Sequence, residues 1–166
     1  MSVRTYVGVR GTGANLAALG PIVLGRLRPT LRRAAELLDP GDPSKNPAEP
    51  PMPVELLVDT GAMGSFVAID LARRIGLRST SREVVRGIGG DVECPVYAAM
   101  LDLPVDHTDG TTGMMPVRVR LAGLERELSS TIQGLLGRDF LQSFAFAYEG
   151  PTGRFILATS ATWRDR

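Results

Sequence analysis

The sequence predicts a mostly β domain, closed like a barrel, with one or two short helices, a glycine-rich hairpin and a helix-plus-proline insertion. Three observations carry that expectation. Short apolar runs recur at close intervals, bounded by glycine and proline, which suits many brief strands joined by turns. Met115 to Leu121 alternates Val117, Val119 and Leu121 with Arg118 and Arg120, the period of two that a half-buried strand requires. Helical periodicity is confined to brief stretches, and no internal repeat interrupts the pattern.

At 166 residues and 17.8 kDa the chain can bury one core but is short for two, so a single domain over 1–166 is expected. Residues 1–20 read as an N-terminal extension. The first two core strands are expected at Ile22 to Leu27 and Val54 to Val58, with an insertion at 28–52 between them. Pro29 to Leu38 carries the helix signal of that insertion: an early proline, then Leu31, Ala34, Ala35 and Leu38 at helical spacing. Pro40 to Pro53 places six prolines in fourteen positions, which can neither continue a helix nor pair in a central strand, so an exposed tether follows.

A turn of small residues, Thr60 to Gly64, comes after the second strand, then a short extended piece at Ser65 to Val67. Ile69 to Ile75 reads as a helical turn or two stopped by Gly76. Val84 with Val85 and Val92 to Met100 form the arms of a hairpin whose tip is Gly87, Ile88, Gly89 and Gly90. Thr131 to Leu136 is expected as a buried strand and Arg138 to Ser143 as a short helix. Phe144 to Tyr148 with Phe155 to Ala158 then make a closing hairpin.

Composition removes several function classes. Lys+Arg 19 against Asp+Glu 18 leaves a net charge of +1, no electrostatic footprint for nucleic acid or an anionic membrane surface. No apolar run reaches the ~18 residues of a spanning helix. The moderately apolar stretch from Ala14 to Gly25 is broken by Pro21 and followed by Arg26 and Arg28 where a cleavage site needs small residues, so a soluble, cytoplasmic protein is expected. The single cysteine, Cys94, can form no internal disulfide and reads as a packed thiol. His107 sits among Asp102, Asp106 and Asp109 in DLPVDHTDGTTG, but the spacing fits no ligand template, and a solvated loop without metal is expected.

The chemistry concentrates at Leu56-Leu57-Val58-Asp59-Thr60-Gly61-Ala62. An apolar strand that ends in an ionisable residue delivers a carboxylate from a buried wall into a site. Gly61 lets backbone approach a ligand closely, and the Thr60 hydroxyl can bond to a neighbouring segment.

Three pieces in order resemble the retropepsins, the retroviral-type aspartic proteases. They are LLVDTGA continuing as GSFVAIDLARRIGL at 56–77, the Gly87 to Gly90 hairpin where that family has its flap, and GLLGRDFL at 134–141, similar to the segment threaded through the catalytic loop. Together with FAFAYEGPTGRFIL the likeness spans about Pro21 to Ala158. It implies Asp59 as the catalytic carboxylate, Thr60 and Gly61 as support of the catalytic loop, and Gly61, Ala62, Ile88 and Gly89 as substrate-binding positions. No metal and no organic cofactor are implied. Water activation by this route uses two carboxylates that share one proton, because like charges at contact distance cannot both ionise. The chain holds one D-T-G triplet, so the second carboxylate is expected from a second copy across a two-fold axis: a homodimer acting on peptide or protein substrates.

Leu56, Val58, Ile88 and Leu135 suggest apolar side chains near the cleaved bond. Met63 and Gly64 stand where viral members carry a further acidic residue, which leaves the partner of Arg138 open; Arg138 and Asp139 read as structural. The rival from another class is a non-catalytic dimeric peptide-binding or scaffold module of the same fold. A third reading is a latent protease held by its N-terminal residues or by the 28–52 insertion.

Overall fold

The structure is a computed structural model that describes residues 4–9, 20–30, 51–87, 90–107, 109–125, 129 and 131–159. Its elements in chain order are β1 (Arg4–Val9), β2 (Ile22–Pro29), β3 (Met52–Val58), β4 (Phe66–Ala68), α1 (Ile69–Arg74), β5 (Ser79–Gly87), β6 (Gly90–His107), β7 (Thr112–Leu124), β8 (Gly134–Leu136), α2 (Arg138–Leu141), β9 (Ala145–Glu149) and β10 (Arg154–Thr159). Mostly strand with two short helices, it matches the fold class read from the sequence.

Six strands close a barrel in the order β2-β3-β8-β4-β7-β6, with β6 returning to β2. Neighbours are antiparallel except β3 with β8 and β4 with β7, which run parallel. The alternation that predicted strands is what fills the interior: Val54, Leu56 and Val58 on β3, and Leu101, Leu103 and Val105 on β6, turn into one core with Leu71, Phe140 and Phe155. At the closing seam, Arg26 to Pro29 pair with Asp102 to Ala99. There the Arg28 guanidinium donates twice to Asp102, Nε to Oδ2 at 2.6 Å and Nη2 to Oδ1 at 3.0 Å. That hydrogen bond pushes the Arg28 pKa above its ordinary value despite partial burial, so the guanidinium stays charged.

Asp102 therefore lies within β6, not in a solvated loop. The β6 and β7 strands run so far that the expected twelve-residue loop shrinks to the turn after His107, closed by the Gly110 N–H donating to the His107 carbonyl. Among the described residues no cluster of His, Cys, Asp and Glu side chains is placed to hold a metal ion.

Other boundaries also move. β2 runs through Arg28 and Pro29 and β3 begins at Met52, so the ends of the 28–52 segment are strand. The expected helix beyond Thr30 and most of the proline tether lie outside the described residues. The buried strand expected from Thr131 begins at Gly134, and the helix from Arg138 stops at Leu141. Residues 4–9, within the expected N-terminal extension, form β1, which pairs with β10 from Arg4↔Thr159 to Val9↔Arg154 and touches β6 at Thr5↔Asp106. With β9 on the far side of β10, these strands continue the wall beyond the barrel. No described helix is long and apolar enough to cross a membrane.

Candidate active site

Asp59 is the first residue after β3, where the strand's apolar alternation ends and the chain turns. Its backbone is pinned from both sides: the Val58 N–H donates to the Pro21 carbonyl at 2.8 Å and the Asp59 N–H to the Leu136 carbonyl at 3.0 Å. The side chain is half-buried. Its Oδ1 accepts the Gly61 N–H at 2.8 Å, while Oδ2 bonds to no described residue. A Cβ at Gly61 would come within 3.1 Å of that same oxygen, so glycine permits the close approach of backbone to carboxylate.

Behind the loop runs the segment GLLGRD. β8 lies between β3 and β4, parallel to the first and antiparallel to the second, and it is buried throughout. Both flanking glycines are required by this threading. A Cβ on Gly134 would come within 2.9 Å of Leu56 Cδ2, and one on Gly137 within 2.7 Å of the Gly64 carbonyl carbon, with backbone oxygens closer still. From there the chain supports the loop directly: the Arg138 N–H donates to the Ala62 carbonyl at 3.0 Å and the Asp139 N–H to the Met63 carbonyl at 3.2 Å.

The residue that locks this crossing is one the sequence reading left out. Ser65 is 3% exposed. Its Oγ donates to Asp139 Oδ1 at 2.7 Å and accepts the Gly137 N–H at 3.0 Å, and its own N–H donates to Asp139 Oδ2 at 3.1 Å. Asp139 Oδ1 also accepts the Phe140 N–H at 2.8 Å. A buried serine six residues beyond Asp59 and an aspartate straight after a G-R pair were both visible, but nothing in spacing alone joins them. Asp139 thus has the structural role expected of it, whereas the Arg138 side chain is exposed and pairs with no described residue.

Thr60 is exposed and its hydroxyl bonds to no described residue, while Gly61 is exposed and Ala62 half-buried beside it. Asp59, Thr60, Gly61 and Ala62 are thus together on one loop. Ile88 and Gly89 lie outside the described residues, although the arms below them pair as expected, from Ser79↔Tyr97 to Gly87↔Gly90. Leu56 and Val58 are core residues, 0% and 4% exposed, which removes both from the apolar substrate lining expected of them. Cys94 is buried within β6; burial first, then Glu83, pushes its thiol pKa up, as suits a packed thiol. Chemically, the site presents one carboxylate and one hydroxyl, with Asp59 Oδ2 and Thr60 Oγ1 bonded to no described residue, beside backbone groups on an exposed loop.

The family model described as aspartyl protease matches residues 51–140, from the start of β3 to the middle of α2. Among solved structures the chain is similar to the EIAV protease complexed with an inhibitor, at 21% identity over 55% of this chain and 77% of that one, with a TM-score of 0.33. It is also similar to a retropepsin-like aspartic protease from Rickettsia conorii, at 14% identity over 95% of this chain and 92% of that one, with a TM-score of 0.44. No curated protein matches the sequence. With the D-T-G loop, the paired arms of the hairpin and the threaded G-L-L-G-R-D segment all inside the matched stretch, the chain belongs to the aspartyl protease family.

Proposed function

We propose that the protein is an aspartic endopeptidase of retropepsin type that works as a homodimer, each copy contributing one Asp59. The observation that supports this reading is the single D-T-G triplet, whose carboxylate has one oxygen bonded to no described residue and whose exposed loop is hydrogen-bonded from behind. Two copies related by a two-fold axis through these loops place two Asp59 carboxylates together. One proton shared between them lets one side chain accept a proton from water while the other donates to the scissile carbonyl oxygen. The geminal diol so formed collapses with proton transfer to the leaving amine, which breaks the C–N bond.

Within this mechanism Thr60 braces the two loops across the axis, and Gly61 and Ala62 offer backbone groups to an extended substrate. The hairpin tip at Ile88 and Gly89 closes over the bound strand and excludes water. No metal or organic cofactor takes part. The cytoplasm is the compartment this reading assigns.

The test is Asp59→Asn, compared with the native chain for cleavage of a mixed peptide library and for sedimentation as a dimer. Loss of cleavage with dimerisation retained supports the reading. Undiminished turnover, or cleavage whose specific rate does not fall as the protein is diluted through dimer dissociation, overturns it.

A further inference from the structure

β7 pairs with β6 along nearly its whole length, but its other edge meets a strand only at Ala122, Gly123 and Leu124, where β4 lies alongside. From Thr112 to Leu121 that edge has no strand partner among the described residues. One hydrogen bond fixes which backbone groups face outward. The Ala122 N–H donates to the Ser65 carbonyl at 2.9 Å, away from β6. In an antiparallel ladder, outward groups belong to every second residue, N–H and C=O together. Those of Arg120 and Arg118 therefore face outward, and no described residue bonds to them. Pro116, next in that register, has no N–H to offer.

This short free edge borders a cavity of about 580 Å³ whose other walls include Asp139, Gln142 and Ser143. Tyr97, only 5% exposed, also borders it, and its hydroxyl bonds to no described residue. A buried phenol ordinarily has a partner. Arg118, Arg120 and Asp139 are the charged residues that line this cavity. Arg120 is paired with Glu83, and the Asp139 oxygens are occupied by Ser65 and Phe140, but the exposed Arg118 has no ion pair among the described residues.

We propose that the Arg118–Arg120 edge of β7 docks an extended acidic peptide segment of another protein, which adds as a strand beside β7 and presents a carboxylate to Arg118. Backbone bonds to an open edge supply affinity, and alternate side chains supply specificity. A proline and like charges on an edge discourage pairing with another copy of the same strand. Arg118, which has no ion pair among the described residues, attracts an acidic strand in its place. The usable length is set by Pro116 at one end and by β4 at Ala122 at the other, room for about four or five residues at the ~3.3 Å rise of a strand. The inference stands apart from the catalytic reading, because docking is measured without cleavage.

The experiment is a fluorescence-anisotropy titration of Asp59→Asn protein, which removes cleavage under the catalytic reading, with a labelled peptide of alternating glutamate and valine. Saturable binding is expected, weakened about tenfold or more by Arg118→Glu and several-fold by Arg118→Gln. It should fall by a similar factor when the glutamates are replaced by lysine, or when alternate peptide nitrogens are methylated. Both Arg118 variants are checked by circular dichroism, and the side chain is exposed, so native folding is expected. Binding that is insensitive to Arg118 in the natively folded variants, to peptide charge or to N-methylation overturns the proposal, as does no binding up to about millimolar peptide.

Discussion

The Ser65 hydroxyl donates to the Asp139 carboxylate at 2.7 Å although the two residues are 74 positions apart, and it accepts the Gly137 N–H at the same time. One buried oxygen thereby fastens the loop that carries Asp59 to the segment threaded behind it. Asp139 completes the fastening through the Ser65 N–H, so neither side of the crossing can slide without breaking a bond to a buried group.

Removing that oxygen leaves the Gly137 N–H and one carboxylate lone pair without partners. Ser65→Ala should cost about 1–3 kcal/mol, the range for an unsatisfied buried polar group, read as a lower urea midpoint at unchanged m-value. Peptide cleavage should fall as well, because the carboxylate loses its rigid mount. A midpoint within error of the native chain would remove this role from Ser65.

Gly137→Ala places a methyl group against the Gly64 carbonyl, which is backbone and cannot swing aside. The expected result is a destabilisation of about 1–3 kcal/mol, the range for overpacking, and a larger fractional loss of cleavage than of folded protein. Thermal melting and specific activity measured on the same sample separate the two.

Thr60→Val keeps the side chain's shape and deletes a hydroxyl that bonds to nothing described in one chain. Its effect on the stability of a single chain should lie within about 0.5 kcal/mol, the range of an exposed substitution. If the hydroxyl braces two loops across an axis, dimer dissociation measured by sedimentation should rise markedly. A dimer constant unchanged from the native protein would place the bracing elsewhere.

Burial pushes the Cys94 thiol above its ordinary pKa, with Glu83 adding to it. The proton is held more firmly in the folded chain than in the unfolded one. The stability this contributes is complete below the unfolded pKa and is lost as pH rises through the higher folded value. Alkylation of the native protein should therefore be slow at neutral pH and should accelerate only at more alkaline pH than for a free thiol. Unfolding in urea should restore ordinary reactivity. Fast native labelling at neutral pH would show that the thiol is open.

Much of this molecule is legible in local sequence because strands announce themselves through alternation. Val54, Leu56 and Val58 point inward for the reason that made the run look like a strand, and Asp59 emerges where that run ends. The Gly87 to Gly90 hairpin is legible for a similar reason, since β-rich arms flank a glycine tip. What local patterns miss depends on distant partners. β1 was not legible, because its register is set by β10 at the other end of the chain. Proline, histidine and aspartate around Asp102 read locally as a loop; pairing with β2 and β7 holds it in a strand.

The residues by themselves determined the strand-rich class and a single Asp59-Thr60-Gly61 triplet at the end of an apolar run, since each follows from period, residue type or count within one stretch. Only the tertiary structure decided that Ser65, Gly137 and Asp139 hold that loop, that Leu56 and Val58 belong to the core, and that the Arg118 edge of β7 has no strand partner among the described residues. The physical reason is that hydrogen bonds, burial and strand pairing depend on which groups meet in space, and in a barrel those groups come from segments far apart in the chain.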